Sequence, residues 1–369
     1  MREKLTAAFT LYSKVYDYGQ RINKIKIDLP YSVHSEDLSL DTFQVTTENE
    51  LEYFEIDNGE RMIKNIYVKG PKDTGSKIIL QLDASLNAPY SSTMFFDEEH
   101  FTNRPLNVNY QITQVKKIGN HNRVKIFEQV SIEDEEVDLF TEGKFSSKLH
   151  YRDYQPKDQS QKHPLIIWLH GAGEGGEDNE VHITANRGAT AFIDDQVQKI
   201  FDDPYILAPQ TSSFWIPEST LTNGSLHGEK QTGELIQLIE EYIETHSSID
   251  EDRVYIGGAS MGGYQVWEII IERPDLFAAA FPIATAYKVL ANQMDRIKNV
   301  PIWIIHAEED EVVPFENSKF AFETLKAKGG NPIFTQYKDD SKHYSNLSIY
   351  NVWVLNFPRI HLHMQHQQH

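Results

Sequence analysis

One pentapeptide, at residues 258–262, limits what this chain can fold into more than any other feature. It reads G-A-S-M-G and lies between a β-rich segment at 253–257 and a helix-forming segment at 263–271. A strand, a serine bordered by glycines and a helix, in that order, predict a sharp turn that exposes Ser260 at a helix N-terminus. Such an N-terminus favours developing negative charge. Glycine-rich turns also enter helices without any chemistry, so the pentapeptide alone leaves the role of Ser260 open.

From about residue 148 onward, the sequence alternates between segments of strand and helix character. Residues 165–169 and 205–208 are apolar runs of strand length, as expected for strands that are buried on both faces. Residues 234–245 carry apolar side chains at helical spacing on one face. This alternation predicts an α/β domain with a mostly parallel, doubly wound sheet.

The first third of the chain has a different texture. Between about residues 22 and 140, short segments of alternating apolar and polar residues are separated by turns, and no long segment of helical period interrupts them. That pattern predicts an all-β sandwich. We place the sandwich at residues 1–143, the α/β domain at 144–360 and a disordered, His-rich tail at 361–369.

The sequence after Ser260 contains candidates for the two groups that a reactive serine needs. A serine hydroxyl is a poor nucleophile without a base, usually His, and an acid that orients this base. In α/β-hydrolases the acid and then the base follow the serine along the chain. Asp310 lies in a loop just beyond a predicted strand, and His343 follows the next one. Three neighbouring acids compete with Asp310 for the same role: Glu308, Glu309 and Glu311.

A glycine-rich loop at residues 170–176 directly follows the predicted strand at 165–169. Backbone N–H groups in such a loop can stabilise the oxyanion that forms in acyl transfer. The expected donors are the N–H groups of Ala172 and of Met261, the residue after the serine. A phosphate-binding loop is the competing interpretation, but the spacing does not give G-x-G-x-x-G and no G-K-[ST] follows.

Composition excludes several classes of partner and chemistry. A formal net charge of −20 argues against nucleic acid and anionic membranes as partners. The lack of cysteine excludes disulfides and thiolate nucleophiles. We expect no metal and no organic cofactor. We read no signal peptide at the N-terminus, so a cytoplasmic protein is expected, or a secreted one if a leader precedes this sequence.

The stretch at residues 168–179 resembles the L-H-G-A-G-E-x-G-x-D-N block of bacterial esterases of the predicted-peptidase group. These proteins are related to prolyl oligopeptidases, polyhydroxybutyrate depolymerases and feruloyl-type esterases. Residues 206–210 and 250–263 are similar to the same group. The resemblance implies an N-terminal immunoglobulin-like domain ahead of an α/β-hydrolase domain.

Carried over by position, the resemblance makes Ser260 the nucleophile, Asp310 the acid and His343 the base. Asp310 matches the family's H-G-x-x-D-x-x-V-P, in which Ala307 replaces the usual glycine. The surroundings of His343 depart from the family pattern. The sequence therefore predicts a serine carboxylesterase.

The connections after residues 169 and 283 leave no room for a large lid, which suits short-chain or aryl esters, including phenolic ones. Glu174, Phe214 and Trp215 are candidates for substrate contact, although the two aromatics equally fit a core. A serine peptidase of prolyl-oligopeptidase type is the first alternative. The second is a catalytically idle protein that binds polysaccharide or mediates assembly. The sandwich can pack on the hydrolase domain, shape the site entrance or build a homo-oligomer.

Overall fold

The structure, a computed structural model, describes residues 5–51, 53–146, 149–216 and 231–338. His343 and the tail at 361–369 lie outside the described residues. The chain divides into two compact units. The first comprises Met1–Phe95 and Pro105–Asp138, and the second comprises Phe96–Arg104 and Leu139–His369. Phe96–Arg104 thus belongs to the second unit although both of its sequence neighbours belong to the first.

The first unit is built from strands. The strands up to residue 134 are β1 Thr6–Tyr16, β2 Gly19–His34, β3 Phe43–Thr47, β4 Ile63–Val68, β5 Thr74–Leu82, β6 Met94–Asp97, β7 Thr102–Pro105, β8 Tyr110–Gln114 and β9 Ile126–Asp134. Five of them form a sheet in the order β4-β5-β2-β1-β9, while β3 pairs with β8 and β6 with β7. The buried side chains on β2 and β5 alternate along each strand, among them Ile25, Ile27, Ile78 and Leu80. The prediction of an all-β N-terminal part is therefore confirmed.

The second unit contains one large sheet and the helices. Its strands are β10 Thr141–Lys144, β11 Leu149–Tyr154, β12 His163–Leu169, β13 Tyr205–Thr211, β14 Ile249–Ala259, β15 Ala279–Ile283, β16 Trp303–Ala307 and β17 Ile333–Tyr337. Its helices are α1 Val181–Thr184, α2 Asp195–Phe201, α3 Thr232–Thr245, α4 Met261–Glu272 and α5 Glu316–Ala327. Short 3-10 turns occupy Ser35–Asp37, Pro71–Asp73, Val137–Leu139, Thr190–Ile193 and Met294–Arg296. The large sheet has the order β10-β11-β13-β12-β14-β15-β16-β17.

The sheet of the second unit is parallel from β13 to β17, and β10 and β11 are antiparallel additions at one edge. All seven residues of β12 are buried, as predicted for a strand that is covered on both faces. The mostly parallel α/β fold is therefore confirmed. The division into compact units falls at 138/139, whereas the predicted domain boundary follows residue 143. Within the described residues, no helix is long and apolar enough to span a bilayer.

The order of the strands determines where a site can form. From β12 the chain crosses to β13 on one side, whereas from β14 it crosses to β15 on the other side. Adjacent parallel strands whose connections leave in opposite directions open a crevice at their carboxyl ends. The glycine-rich loop follows β12 and Ser260 follows β14, so both lie at this crevice.

Candidate active site

Ser260 adopts the strained backbone that its glycine-bordered sequence predicts. Its φ of 57° and ψ of −113° are uncommon for a residue with a side chain. The Ser260 N–H donates to the carbonyl of Ile283 over 2.9 Å. The Ser260 carbonyl accepts from the N–H groups of Tyr264 and Ala286, each over 3.1 Å. Such conformations persist where the surroundings hold them, and here α4 and the end of β15 do so.

Gly262 brings this turn against the end of β12. A Cβ atom at position 262 would lie 2.1 Å from the carbonyl oxygen of Leu169 and 2.5 Å from that of His170. Any side chain there would push the two segments apart. The glycine therefore allows the turn at Ser260 and the loop that begins at His170 to pack backbone to backbone.

His170 orients the peptide that carries the predicted oxyanion donor Ala172. The N–H of Thr211 donates to Nε2 of His170 over 3.2 Å, so the ring proton is on Nδ1. That Nδ1 lies 2.7 Å from the carbonyl oxygen of Gly171 and donates to it. In a planar trans peptide, the N–H points away from the carbonyl. Fixing the Gly171 carbonyl therefore also fixes the direction of the Ala172 N–H.

The electrostatics agree with this role. Burial lowers the pKa of His170 to about 4, against the opposing effect of the Gly171 carbonyl. The ring is therefore neutral at neutral pH, as an Nε2 that accepts a hydrogen bond requires. The N–H of Met261, the second predicted donor, lies in the first turn of α4, where N–H groups have no intrahelical acceptor.

Glu174 and Trp215 hold the preceding peptide at both of its ends. Oε2 of Glu174 accepts from the Gly171 N–H over 3.1 Å, and its Oε1 accepts from the Asn186 amide over 2.7 Å. Nε1 of Trp215 donates to the His170 carbonyl over 2.9 Å. The Glu174 residue is 2% exposed. The partners found for Glu174 and Trp215 are thus parts of the loop and its support.

Phe214 and Trp215 lie in the apolar core of the second unit, 6% and 0% exposed. Their placement matches the alternative interpretation that they are core aromatics. Contact of these two residues or Glu174 with substrate stays a prediction.

Asp310 is the one acid among the four candidates whose side chain is buried. Its Oδ1 accepts from the N–H groups of Val312 and Val313, over 2.9 and 2.8 Å. Its Oδ2 has no hydrogen-bond partner within the part of the chain that the structure describes. Nε2 of His306 lies 3.3 Å from that oxygen, but its hydrogen bond goes to the Val313 carbonyl at 3.2 Å. By contrast, all three competing glutamates are exposed: Glu308, Glu309 and Glu311.

The loop after β15 connects the surroundings of Ser260 to those of Asp310. The Ala286 N–H binds the Ser260 carbonyl. The Asn317 amide, on α5, donates to the carbonyls of Thr285 and Ala286 over 3.2 and 2.9 Å. Ser260 and the segment that follows the Asp310 loop therefore share one hydrogen-bonded connection. Among the described residues, no group of three or more His, Cys, Asp or Glu side chains could hold a metal ion.

Comparison with known proteins identifies the family. The family described as Phospholipase/Carboxylesterase matches residues 155–352, more than half of the chain. The chain belongs to the phospholipase/carboxylesterase family. Residues 9–125 match a second family, described as the esterase Ig-like N-terminal domain. The chain is therefore a hydrolase of the α/β-hydrolase fold with an immunoglobulin-like N-terminal domain, as the sequence predicted.

Other members of the phospholipase/carboxylesterase family are similar over the catalytic half. Acyl-protein thioesterase 1 homolog 1 of Dictyostelium discoideum is 26% identical over 208 residues, which are 52% of this chain and 88% of that protein. The probable carboxylesterase SOBER1-like of Arabidopsis thaliana is 27% identical over 191 residues, 48% of this chain and 72% of that protein. The crystal structure of a thermostable esterase superimposes with a TM-score of 0.80 at 28% identity, covering 96% of this chain and 97% of that one.

Proposed function

We propose that this hydrolase is a serine carboxylesterase in which Ser260 is the nucleophile, His343 the base and Asp310 the acid. One observation carries the proposal. Ser260 occupies a strained turn at the N-terminus of α4, packed against a loop whose Ala172 N–H is oriented by His170. A nucleophile and preorganised N–H donors side by side are what acyl transfer requires.

In the proposed cycle, Oγ of Ser260 attacks the ester carbonyl carbon while His343 takes the hydroxyl proton. Asp310 orients the imidazole and stabilises its charged form through Oδ2. The tetrahedral intermediate collapses, the bond to the alcohol oxygen breaks, and His343 gives its proton to that oxygen. Water then attacks the acyl-enzyme with the same base, and the carboxylic acid leaves as Ser260 regains its proton.

The N–H groups of Ala172 and Met261 bind the carbonyl oxygen as it becomes negative. Removing one such donor in a comparable site costs roughly 3–4 kcal/mol of transition-state stabilisation. The donors are useful only when their direction is set before the substrate arrives. The bonds that hold the loop after β12 meet this condition in the free protein.

Small esters with short-chain or aryl groups are the proposed substrates, phenolic esters among them. Tyr264 and Tyr287 are both partly exposed, and their rings meet edge to face with centroids 5.6 Å apart. Tyr264 is bonded through its N–H to the Ser260 carbonyl, which places an aromatic surface close to the nucleophile. Such a surface suits a flat or short apolar group.

The proposal is tested by hydrolysis of p-nitrophenyl esters from acetate to decanoate. Methyl ferulate, an acyl thioester and a peptide p-nitroanilide are the contrasting substrates. We expect fast cleavage of the short esters, lost by orders of magnitude in Ser260→Ala and in His343→Ala but not in the tail control His361→Ala. Ester turnover that survives Ser260→Ala would refute the mechanism. Preferential cleavage of the anilide would favour a peptidase instead.

A further inference from the structure

A short segment far away in sequence grips the loop after β12. This segment, Phe96–Arg104, which we name the strap, links β6 to β7 and belongs to the same compact unit as the large sheet. The N–H and the side-chain amide of Asn103 both donate to the carbonyl of Gly173, each over 2.8 Å. The hydroxyl of Thr102 donates to the carbonyl of Gly175 over 2.7 Å.

These bonds act on the loop from the side opposite to His170 along the chain. The peptide that bears the Ala172 N–H lies between a peptide held by Glu174 and the Gly173 carbonyl held by Asn103. Gly173 has a φ of +84°, a region that glycine enters readily. Glycine-rich backbone has little conformational preference of its own. Contacts from outside therefore determine which conformation this loop keeps.

The strap is itself well supported. Asp97 is 1% exposed, and its Oδ1 accepts from the N–H groups of Glu99 and His100 over 3.1 and 3.2 Å. Its Oδ2 lies 2.8 Å from Nδ1 of His100 and 2.7 Å from the Arg104 guanidinium. A carboxylate with four donors fixes the turn between β6 and β7. Asn103 is thus presented to the loop from a braced segment.

We propose that Asn103 and Thr102 are positioning residues for the oxyanion site. By holding the carbonyls of Gly173 and Gly175, they keep the Ala172 N–H in the direction that the developing oxyanion requires. Neither side chain needs to touch the substrate. This inference rests on the proposed function, because it assigns the strap a role in the same reaction.

The test uses the full chain with Asn103→Ala, Asn103→Asp and Thr102→Val, and with Thr102→Ser as the conservative variant. Thr102→Val keeps the shape and removes the donor, while Asn103→Asp places a carboxylate against a carbonyl oxygen. Glu98→Gln, an exposed strap residue, is the matched control. For p-nitrophenyl butyrate we expect kcat to fall about 10–100-fold with KM within about twofold, since a misplaced donor affects the transition state. Thr102→Ser and Glu98→Gln should retain wild-type kcat.

A second readout does not depend on turnover. Amide hydrogen exchange over residues 170–176 should be faster in Asn103→Ala than in the wild type, at unchanged Tm. Unchanged kcat in the Asn103 variants and Thr102→Val, unchanged exchange, or a rise in KM alone would each overturn the inference. If the wild type shows no Ser260-dependent ester cleavage, the proposed function fails, and the exchange data still decide whether the strap holds the loop.

Discussion

The imidazole of His170 donates to the carbonyl of Gly171, over 2.7 Å, and so orients the peptide that the two residues Gly171 and Ala172 share. The same ring accepts from the Thr211 N–H through its other nitrogen. A histidine that is fixed at both nitrogens cannot rotate or change its tautomer without breaking a bond. This residue therefore links the end of β12 to β13 and to the proposed oxyanion donor at once.

Replacing His170 should impair catalysis and stability together. His170→Ala leaves the buried Thr211 N–H and Gly171 carbonyl without their partner, which costs about 1–3 kcal/mol for each unsatisfied group. We expect kcat on p-nitrophenyl butyrate to drop at least about tenfold. Urea unfolding and steady-state kinetics on the same samples measure both effects. Wild-type kcat in a folded His170→Ala protein would contradict the orienting role.

The low pKa of His170 predicts how stability depends on pH. Its ordinary value of 6.5 applies to the unfolded chain, and burial lowers the pKa to about 4 in the folded one. The unfolded state therefore takes up the proton first as the pH falls. The contribution is complete above about pH 6.5, is lost progressively towards pH 4 and amounts to about 3 kcal/mol.

The measurement is the free energy of unfolding between pH 7.5 and 4, for the wild type and for His170→Gln. Burial also holds the pKa of the neighbouring His182 well below its usual value, which adds a slope of the same sign. Only the difference between the two proteins reports on His170. Parallel pH profiles would show that its protonation is not linked to folding.

Asp310 and its neighbour Glu309 form a matched pair for testing the acid. Asp310→Asn keeps an oxygen for the N–H groups of Val312 and Val313, so the fold should change by less than about 1 kcal/mol. Its kcat should fall about 10³–10⁴-fold, because the amide cannot support the charged base. Glu309→Gln, at an exposed position, should behave as the wild type. Equal activity of the two variants would exclude Asp310 as the acid.

Two glycines offer an equally direct comparison. Gly262→Ala forces a Cβ to within 2.1 Å of the Leu169 carbonyl, so it should separate the turn at Ser260 from the adjoining loop and abolish activity. Gly233→Ala in α3 meets nothing within 4 Å and should raise the free energy of unfolding by about 0.5–1 kcal/mol. Thermal unfolding and ester hydrolysis distinguish the two. An active, stable Gly262→Ala protein would show that this close packing is dispensable.

Local patterns in the sequence were enough to predict the strand and helix order and the turn at Ser260. Both depend on residues that are neighbours along the chain. The choice of Asp310 among four acids followed from a family motif, and the structure adds that its side chain alone is buried. The strap was missed, because Asn103 and Thr102 meet loop residues 70 and 73 positions away. No periodicity encodes such a contact.

The orienting role of His170 was also missed, although the residue stood in the motif. A histidine after a buried strand does not reveal which of its nitrogens will find a donor. That depends on Thr211, on a neighbouring strand 41 positions later. The position of His343 remains a prediction from the sequence.

The interruption of the first unit by Phe96–Arg104 has a practical consequence for anyone who recombines these two modules. The catalytic half is encoded discontinuously, and a gene that begins at codon 139 would omit the three donors that Asn103 and Thr102 supply. Such a truncated enzyme would contain the nucleophile and its glycine-rich loop but not the external support for that loop. Fusing a foreign partner to this hydrolase therefore calls for grafting the nine-residue insert along with it.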